Sequence, residues 1–336
     1  MGLTVVQVAF GFAPVTADPA GGAEQVLAQC DRALTAAGHR SIVVACEGSA
    51  VSGELAAFPA DAARETVHAA MRERVARLLE RERPDVVHCH GLDFGDYLPP
   101  PGPPVLATLH LPLDWYPRSA LHPSRPRTFL QPVSADQAAR APADVALIAP
   151  VPNGVDCDLY RPGPKGRDLL VLGRVAPEKG FHTAIDAARR AGEPLVAAGR
   201  VFDYPEHRRY FAEGVLPRLD GRRRWIGPAE GVAKRRLLAR ARALLLPSTA
   251  PETSSLVAME ALASGTPVIA YRSGALPTVV EDGVTGFVVD DVAGMVAAIG
   301  RLDAIDPAAC RAAACDRFPL TRTARAYLDL YHRLAA

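Results

Sequence analysis

Short apolar runs recur along the chain, separated by longer stretches with helical periodicity. LTVVQVAF (3–10), SIVVAC (41–46), DVVHCH (85–90), PVLATLH (104–110) and DVALIAP (144–150) predict strands, and AEQVLAQCDRALTAAG (23–38) and a segment from Asp61 to about Glu82 predict helices. The runs are nearly continuous in Val, Ile and Leu instead of alternating, as in parallel strands covered on both faces. VPNGVD (151–156) and PGPKGR (162–167) then punctuate the chain. The pattern restarts with DLLVLG, FHTAIDAARRAG, PLVAAG, a helical stretch to Leu219, RRRWIG, AKRRLLARAR, ALLLPS and PVIAY. The expected fold class is therefore α/β, with two Rossmann-like doubly wound domains, 1–150 and 151–317, facing a cleft. An amphipathic segment from about 318 to 336 is expected to cross back onto the first domain. Ligands in such sheets bind outside the carboxyl ends of the strands.

Composition narrows the partners. The chain has 336 residues, 49% hydrophobic and 22% charged, with a net charge of +1. That suits two globular domains and gives no electrostatic case for nucleic acid. The basic residues are almost all arginine; Lys165, Lys179 and Lys234 are the three lysines, so each merits attention. The start reads as a strand, not a signal peptide, and no apolar run approaches the ~18 residues of a membrane span. Six scattered cysteines without CxxC spacing predict neither disulfides nor a zinc site, hence a reduced, cytoplasmic protein.

No GxGxxG follows the first strand and no GxxxxGK[ST] occurs, which counts against dinucleotides and P-loop nucleotides. GRVAPEKG (173–180) instead places Gly173, Arg174 and Lys179 between a strand and a helix, a setting suited to a diphosphate, with a solvated loop as the plainer alternative. PETSSLVAME (251–260) adds a second helix start near Ser254, bracketed by Glu252 and Glu260. Carboxylates accept hydrogen bonds from sugar hydroxyls, and unpaired helix amides donate to phosphate oxygens. A nucleotide sugar has that layout.

These segments resemble the GT-B glycosyltransferases, specifically the retaining enzymes of family 4. GGAEQVLAQCDRALTAAGH, DVVHCH, VLATLH, VPNGVD, GRVAPEKG, LLLPSTAPETSSLVAMEALASGTPVIA and EDGVTGFVV stand in that family's order over nearly the whole chain. The resemblance implies that Arg174 and Lys179 bind the donor diphosphate, Glu260 the ribose hydroxyls and Glu252 the transferred sugar. The amides of Ser254, Ser255 and Leu256 would meet the distal phosphate or sugar, Gly21 and Gly22 would let a loop approach that phosphate, and His110 would face the sugar. Ser255 stands where the family commonly has glycine, Gly274 and Ala275 replace a usual glycine pair, and Thr278 occupies an often acidic place. Retention would follow a front-face route without metal or cofactor. An epimerase or hydrolase on the same fold and a donor-binding protein without turnover are the alternatives.

The acceptor is open: small molecule, glycan or lipid-linked. His90, Trp115 and Tyr116 are its candidate contacts, with Arg118, Arg125 and the loops 11–20 and 111–128 beside them. His88 and His90 share a strand face; His88 is expected in the core. Basic segments 222–224 and 234–236 leave peripheral contact with the inner face of a membrane open. Asp156-Cys157-Asp158 spells a DxD metal pattern, but it follows a turn at the start of the second domain, away from the expected diphosphate site.

Overall fold

The computed structural model describes residues 2–16, 19, 21–59 and 63–336. Ala17, Asp18 and Ala20 of the expected acceptor loop, and Asp61 at the expected start of the long helix, lie outside the described residues. The chain divides into two compact units, Met1–Asn153 with Thr321–Ala336, and Gly154–Leu320.

The first unit holds strands β1 (Thr4–Val8), β2 (Arg40–Cys46), β3 (Glu54–Phe58), β4 (Val86–Cys89), β5 (Val105–Leu109) and β6 (Thr128–Pro132). Its helices are α1 (Gly22–Ala36), α2 (Arg64–Glu82), the short α3 (Arg118–Leu121) and α4 (Ala135–Ala139), and most of the last helix, α12 (Leu320–Ala335). The strand order is β3-β2-β1-β4-β5-β6, with every pairing parallel. β4 and β5 are buried at every position, as continuous apolar runs require. DVALIAP departs from expectation: it is half-exposed and makes only one isolated bridge, Leu147 to Leu130. TFLQP supplies the edge strand β6 instead, its Pro132 tolerated because an edge has no further strand to serve.

The second unit repeats the plan with β7 (Leu169–Leu172), β8 (Leu195–Ala198), β9 (Arg223–Trp225), β10 (Ala243–Leu246), β11 (Val268–Tyr271) and β12 (Gly286–Val289), in the order β12-β11-β10-β7-β8-β9. Its helices are α5 (Phe181–Arg190), α6 (Pro205–Arg209), α7 (Gly231–Arg240), α8 (Leu256–Ala263), α9 (Leu276–Val279), α10 (Val292–Ile299) and α11 (Pro307–Arg317). The strand order reverses between β7 and β10. Sheets of this kind take ligands outside the carboxyl ends of the strands at such a reversal point. The same reversal lies between β1 and β4 in the first unit.

One expectation about cysteine is overturned. Cys157, just after the chain enters the second unit, is disulfide-bonded to Cys315 on α11, across 158 residues of sequence. Scattered spacing hid the pair because the fold, not the sequence, brings the two ends of this unit together. The other four cysteines are free and buried. No helix among the described residues is long and apolar enough to cross a membrane.

Candidate functional site

GRVAPEKG leaves β7 at the reversal point of the second unit. Gly173 has φ 153° with open space where a side chain would stand. Pro177–Lys179 form one 3₁₀ turn, and Gly180 ends it with φ 65°; a Cβ there would lie 2.4 Å from the Pro247 carbonyl oxygen. Glycine is required at 180 because the loop after β10 runs directly against it. The two loops are also joined by the Thr249 amide, which donates to the Glu178 carbonyl at 2.9 Å.

Both expected phosphate ligands are already engaged. Arg174 pairs with Glu178 at 2.5 Å, and the Lys179 ammonium donates to Glu252 Oε1 at 2.6 Å, where the Ser248 hydroxyl also donates. Burial pushes the Glu252 carboxyl up, but the Lys179 charge and hydrogen bond, the Ser248 hydroxyl and Arg174 outweigh it and hold the group below the usual carboxylate range. Its backbone is fixed as well: the Ala275 amide donates to the Glu252 carbonyl at 2.7 Å, and a Cβ on Gly274 would fall 2.2 Å from that same oxygen. Gly274 therefore keeps the glycine that this contact needs, while Ala275 can carry a methyl group.

The helix starts later than expected, at Leu256, with Ser255 as its N-cap at φ 58° and ψ 70°. That left-handed conformation explains why glycine suits the position; serine holds it at a cost of about 1–2 kcal/mol. The Ser254 and Ser255 hydroxyls are buried there, without a hydrogen-bond partner among the described residues.

Glu260, one turn into α8, is only 1% exposed. Its Oε1 accepts from Tyr160 Oη at 2.8 Å and from Lys234 Nζ at 2.9 Å. Lys165 caps the far end, donating to the Ala239 and Ser264 carbonyls and to Thr266 Oγ1 at 2.5 Å. All three lysines of the chain thus serve the segment from Glu252 to Thr266. Their scarcity in the sequence was a signal; Glu178, Ser248 and Tyr160 carried none.

In the first unit the strand ends carry neutral polar groups. The Gln131 amide donates to the Pro132 and Val151 carbonyls, so its Oε1 accepts from Thr108 Oγ1 at 2.7 Å and from Tyr327 Oη at 3.0 Å. With the Thr108 proton spent there, His88 Nε2 donates to Thr108 and His88 Nδ1 accepts from Tyr331, both at 2.7 Å. The chain of bonds fastens α12 to the sheet. His90 Nδ1 lies 3.1 Å from His110 Nε2, and its own Nε2 is buried without a partner among the described residues. Burial drives His88 and His90 well below the usual imidazole range and His110 down to about 3.

Gly21 is the N-cap of α1 and Gly22 its first residue. A Cβ on Gly21 would stand 1.8 Å from the Glu24 carboxylate, so glycine makes room for that folded-back side chain. Of the expected acceptor contacts, Trp115 is exposed, but Tyr116 lies in the core with its hydroxyl accepting from the Leu111 amide. Arg125 is likewise structural, its guanidinium donating to the carbonyls of Pro99, Pro100, Pro103 and Pro126. Arg118 pairs with Asp144, and Arg222 and Arg223 with groups of their own unit. Asp156 spends Oδ1 on the amides of Asp158 and Leu159, and Cys157 is in the disulfide, so the DxD segment is a capped turn.

Two six-stranded parallel sheets, each doubly wound, with a cation-rich loop and a helix start at one reversal point, define the GT-B class of glycosyltransferase folds. The chain belongs, more narrowly, to the family 4 and group 1 glycosyltransferases: residues 20–159 match the model for Glycosyltransferase Family 4, and residues 166–304 the model for Glycosyl transferases group 1. It is 31% identical over 238 residues to D-inositol 3-phosphate glycosyltransferase of Saccharomonospora viridis, matching 61% of this chain and 54% of that protein. The chain thus spans about half the length of that relative. Its structure is similar to AviGT4, a glycosyltransferase involved in avilamycin A biosynthesis, with a TM-score of 0.73 and 27% identity over 99% of this chain and 98% of that one. Anabaena HepE, solved with UDP and glucose, shares the fold with a TM-score of 0.78 at 18% identity, over 98% of this chain and all of that one.

Proposed function

We propose that the protein is a retaining glycosyltransferase that moves a sugar from a nucleoside diphosphate sugar, linked to UDP, dTDP, GDP or ADP, to a hydroxyl acceptor. One observation carries this reading: two cations, two buried hydroxyls without a partner among the described residues and a fixed carboxylate meet at the reversal point of the second sheet. HepE, which binds UDP-glucose, and the inositol phosphate glycosyltransferase support a nucleotide donor and a small polyol or sugar acceptor; a lipid-linked acceptor at a membrane surface is the wider class.

Lys179 and Arg174 exchange Glu252 and Glu178 for phosphate oxygens when the donor arrives. Glu252, released from its ammonium, then accepts from a sugar hydroxyl. As the anomeric C–O bond breaks, its electron pair passes to the diphosphate oxygen, where the two cations and the α8 amides stabilise the growing charge. The acceptor oxygen bonds the anomeric carbon on the same face, and its proton passes to the departing phosphate oxygen. Arg174 and Lys179 supply the positive charge, so no metal enters a step. The test is release of nucleoside diphosphate in excess EDTA with and without added sugar or polyol acceptors. Release that depends on an acceptor supports transfer; release at the same rate without one identifies a hydrolase, and loss on chelation restored by magnesium identifies a metal-dependent enzyme.

A further inference from the structure

Lys234 does not behave like the other basic residues of its helix. It lies on the inner face of α7 one turn before Leu238, and both are buried, whereas Arg236 and Arg240 are exposed. Replacing both partners of a buried ion pair by apolar side chains is often neutral or stabilising, since desolvation commonly exceeds the attraction. The lysine is nonetheless there, 8% exposed, with its ammonium 2.9 Å from Glu260 Oε1 and 5.5 Å from the centre of the Tyr160 ring. Tyr160 donates to the same carboxylate oxygen. Its backbone is held in turn: Arg311 donates to the Tyr160 carbonyl at 2.8 Å and to the Ala263 carbonyl, at the end of α8, at 2.7 Å. Two donors from separate elements therefore converge on one oxygen and set the rotation of the carboxylate.

We propose that Lys234 is the positioning residue for ribose recognition: with Tyr160 it holds the Glu260 carboxylate in the orientation that accepts hydrogen bonds from the ribose hydroxyls of the donor nucleotide. This rests on Glu260 as the ribose ligand of the proposed transferase. A hydrogen bond to a charged group discriminates only when the acceptor is fixed before binding; a carboxylate free to rotate loses that advantage on ordering. Lys234 supplies the fixed geometry without itself touching the nucleotide.

The experiment is isothermal titration of the full chain with UDP, dTDP, GDP and ADP, each beside its counterpart lacking the ribose hydroxyls. For the nucleotide that binds best, the wild type is expected to prefer the hydroxylated form by about 10–100-fold. Lys234→Met is expected to bring that ratio to within about threefold of one, leaving affinity for the dideoxy form unchanged, and Lys234→Arg to restore part of it. Should Lys234→Met fail to fold, Tyr160→Phe, which deletes one hydroxyl, is expected to lower the ratio by about three- to tenfold. A wild-type ratio retained in Lys234→Met, or in Tyr160→Phe where the former does not fold, overturns the proposal. If Glu260→Ala also keeps the ratio, or no diphosphate binds, the ribose reading of Glu260 falls with it. If Glu260→Ala abolishes the ratio and the Lys234 and Tyr160 variants do not, only the positioning role fails.

Discussion

The two units repeat one sheet plan but equip their strand ends in opposite ways. In the second, full charges face one another: Arg174 with Glu178, Lys179 with Glu252, Lys234 with Glu260. In the first, burial strips three imidazoles of charge: His88 is tied to two hydroxyls, one of which reaches the Gln131 amide, and His90 faces His110. The difference follows from what each is equipped to do. Ion pairs that are partly open to solvent can exchange a carboxylate for a phosphate at modest cost, because the cation is never left unpaired. The buried neutral network of His88, Thr108, Gln131, Tyr327 and Tyr331 has no such exchange to make, and it serves to fix a helix.

Breaking the neutral network should have the largest effect. His88→Leu takes the imidazole acceptor from the Tyr331 hydroxyl and a donor from Thr108, and each such loss costs about 1–3 kcal/mol. A destabilisation of about 2–5 kcal/mol by urea denaturation is expected, with nucleoside diphosphate affinity of the folded chain unchanged. The pH dependence sharpens the point. The folded pKa of His88 lies well below its unfolded value, so its contribution is complete above pH 6.5 and falls as the pH drops, by about 1.4 kcal/mol per unit until the folded pKa is reached. The stability gap between wild type and His88→Gln should therefore narrow on acidification; a gap that is flat between pH 7 and 5 would show that His88 is not held neutral.

Next in size is the disulfide of the second unit. Cys157→Ala should lower stability by about 2–4 kcal/mol under oxidising conditions. The same variant and the wild type should melt together once reductant is present, and different melting in reductant would mean that the side chain acts through packing.

Removing one charge from the site comes third. Lys179→Ala should lower kcat/KM about 10–100-fold through loss of a charge-assisted contact to the leaving group. Near-normal activity would remove the loop after β7 from the diphosphate site. Ser255→Gly should be the smallest change and of opposite sign, raising stability by about 1 kcal/mol as left-handed strain is relieved. Thermal melting of that variant checks it, and a fall in stability would mean that the buried hydroxyl contributes more than the strain costs.

The sequence made the alternating architecture legible because buried parallel strands need uninterrupted apolar runs, and β4, β5, β7 and β10 have them. It misled at DVALIAP, whose apolar letters lie half-exposed beside the true edge strand, and at TFLQP, where a proline and a glutamine disguised a strand. Arg174, Lys179 and Glu252 were readable as a group since each flanks a strand-to-helix loop. What they touch was not. The pairing of Lys179 with Glu252 spans 73 positions and that of Glu260 with Tyr160 spans 100. Only the fold makes them neighbours. Tyr116 and Arg125 show the converse, polar side chains in a loop segment that the core had already claimed.

The most direct test of the donor site is thermal melting of the full chain in excess EDTA with UDP-, dTDP-, GDP- and ADP-sugars, wild type beside Lys179→Ala. A ligand that binds only the folded state at 100 times its dissociation constant stabilises by about 2.7 kcal/mol. One donor is expected to raise the melting temperature of the wild type by several degrees and that of Lys179→Ala by markedly less. No shift with any donor, or an equal shift in both proteins, would contradict the assignment of the loop after β7 and the start of α8 to a nucleotide sugar.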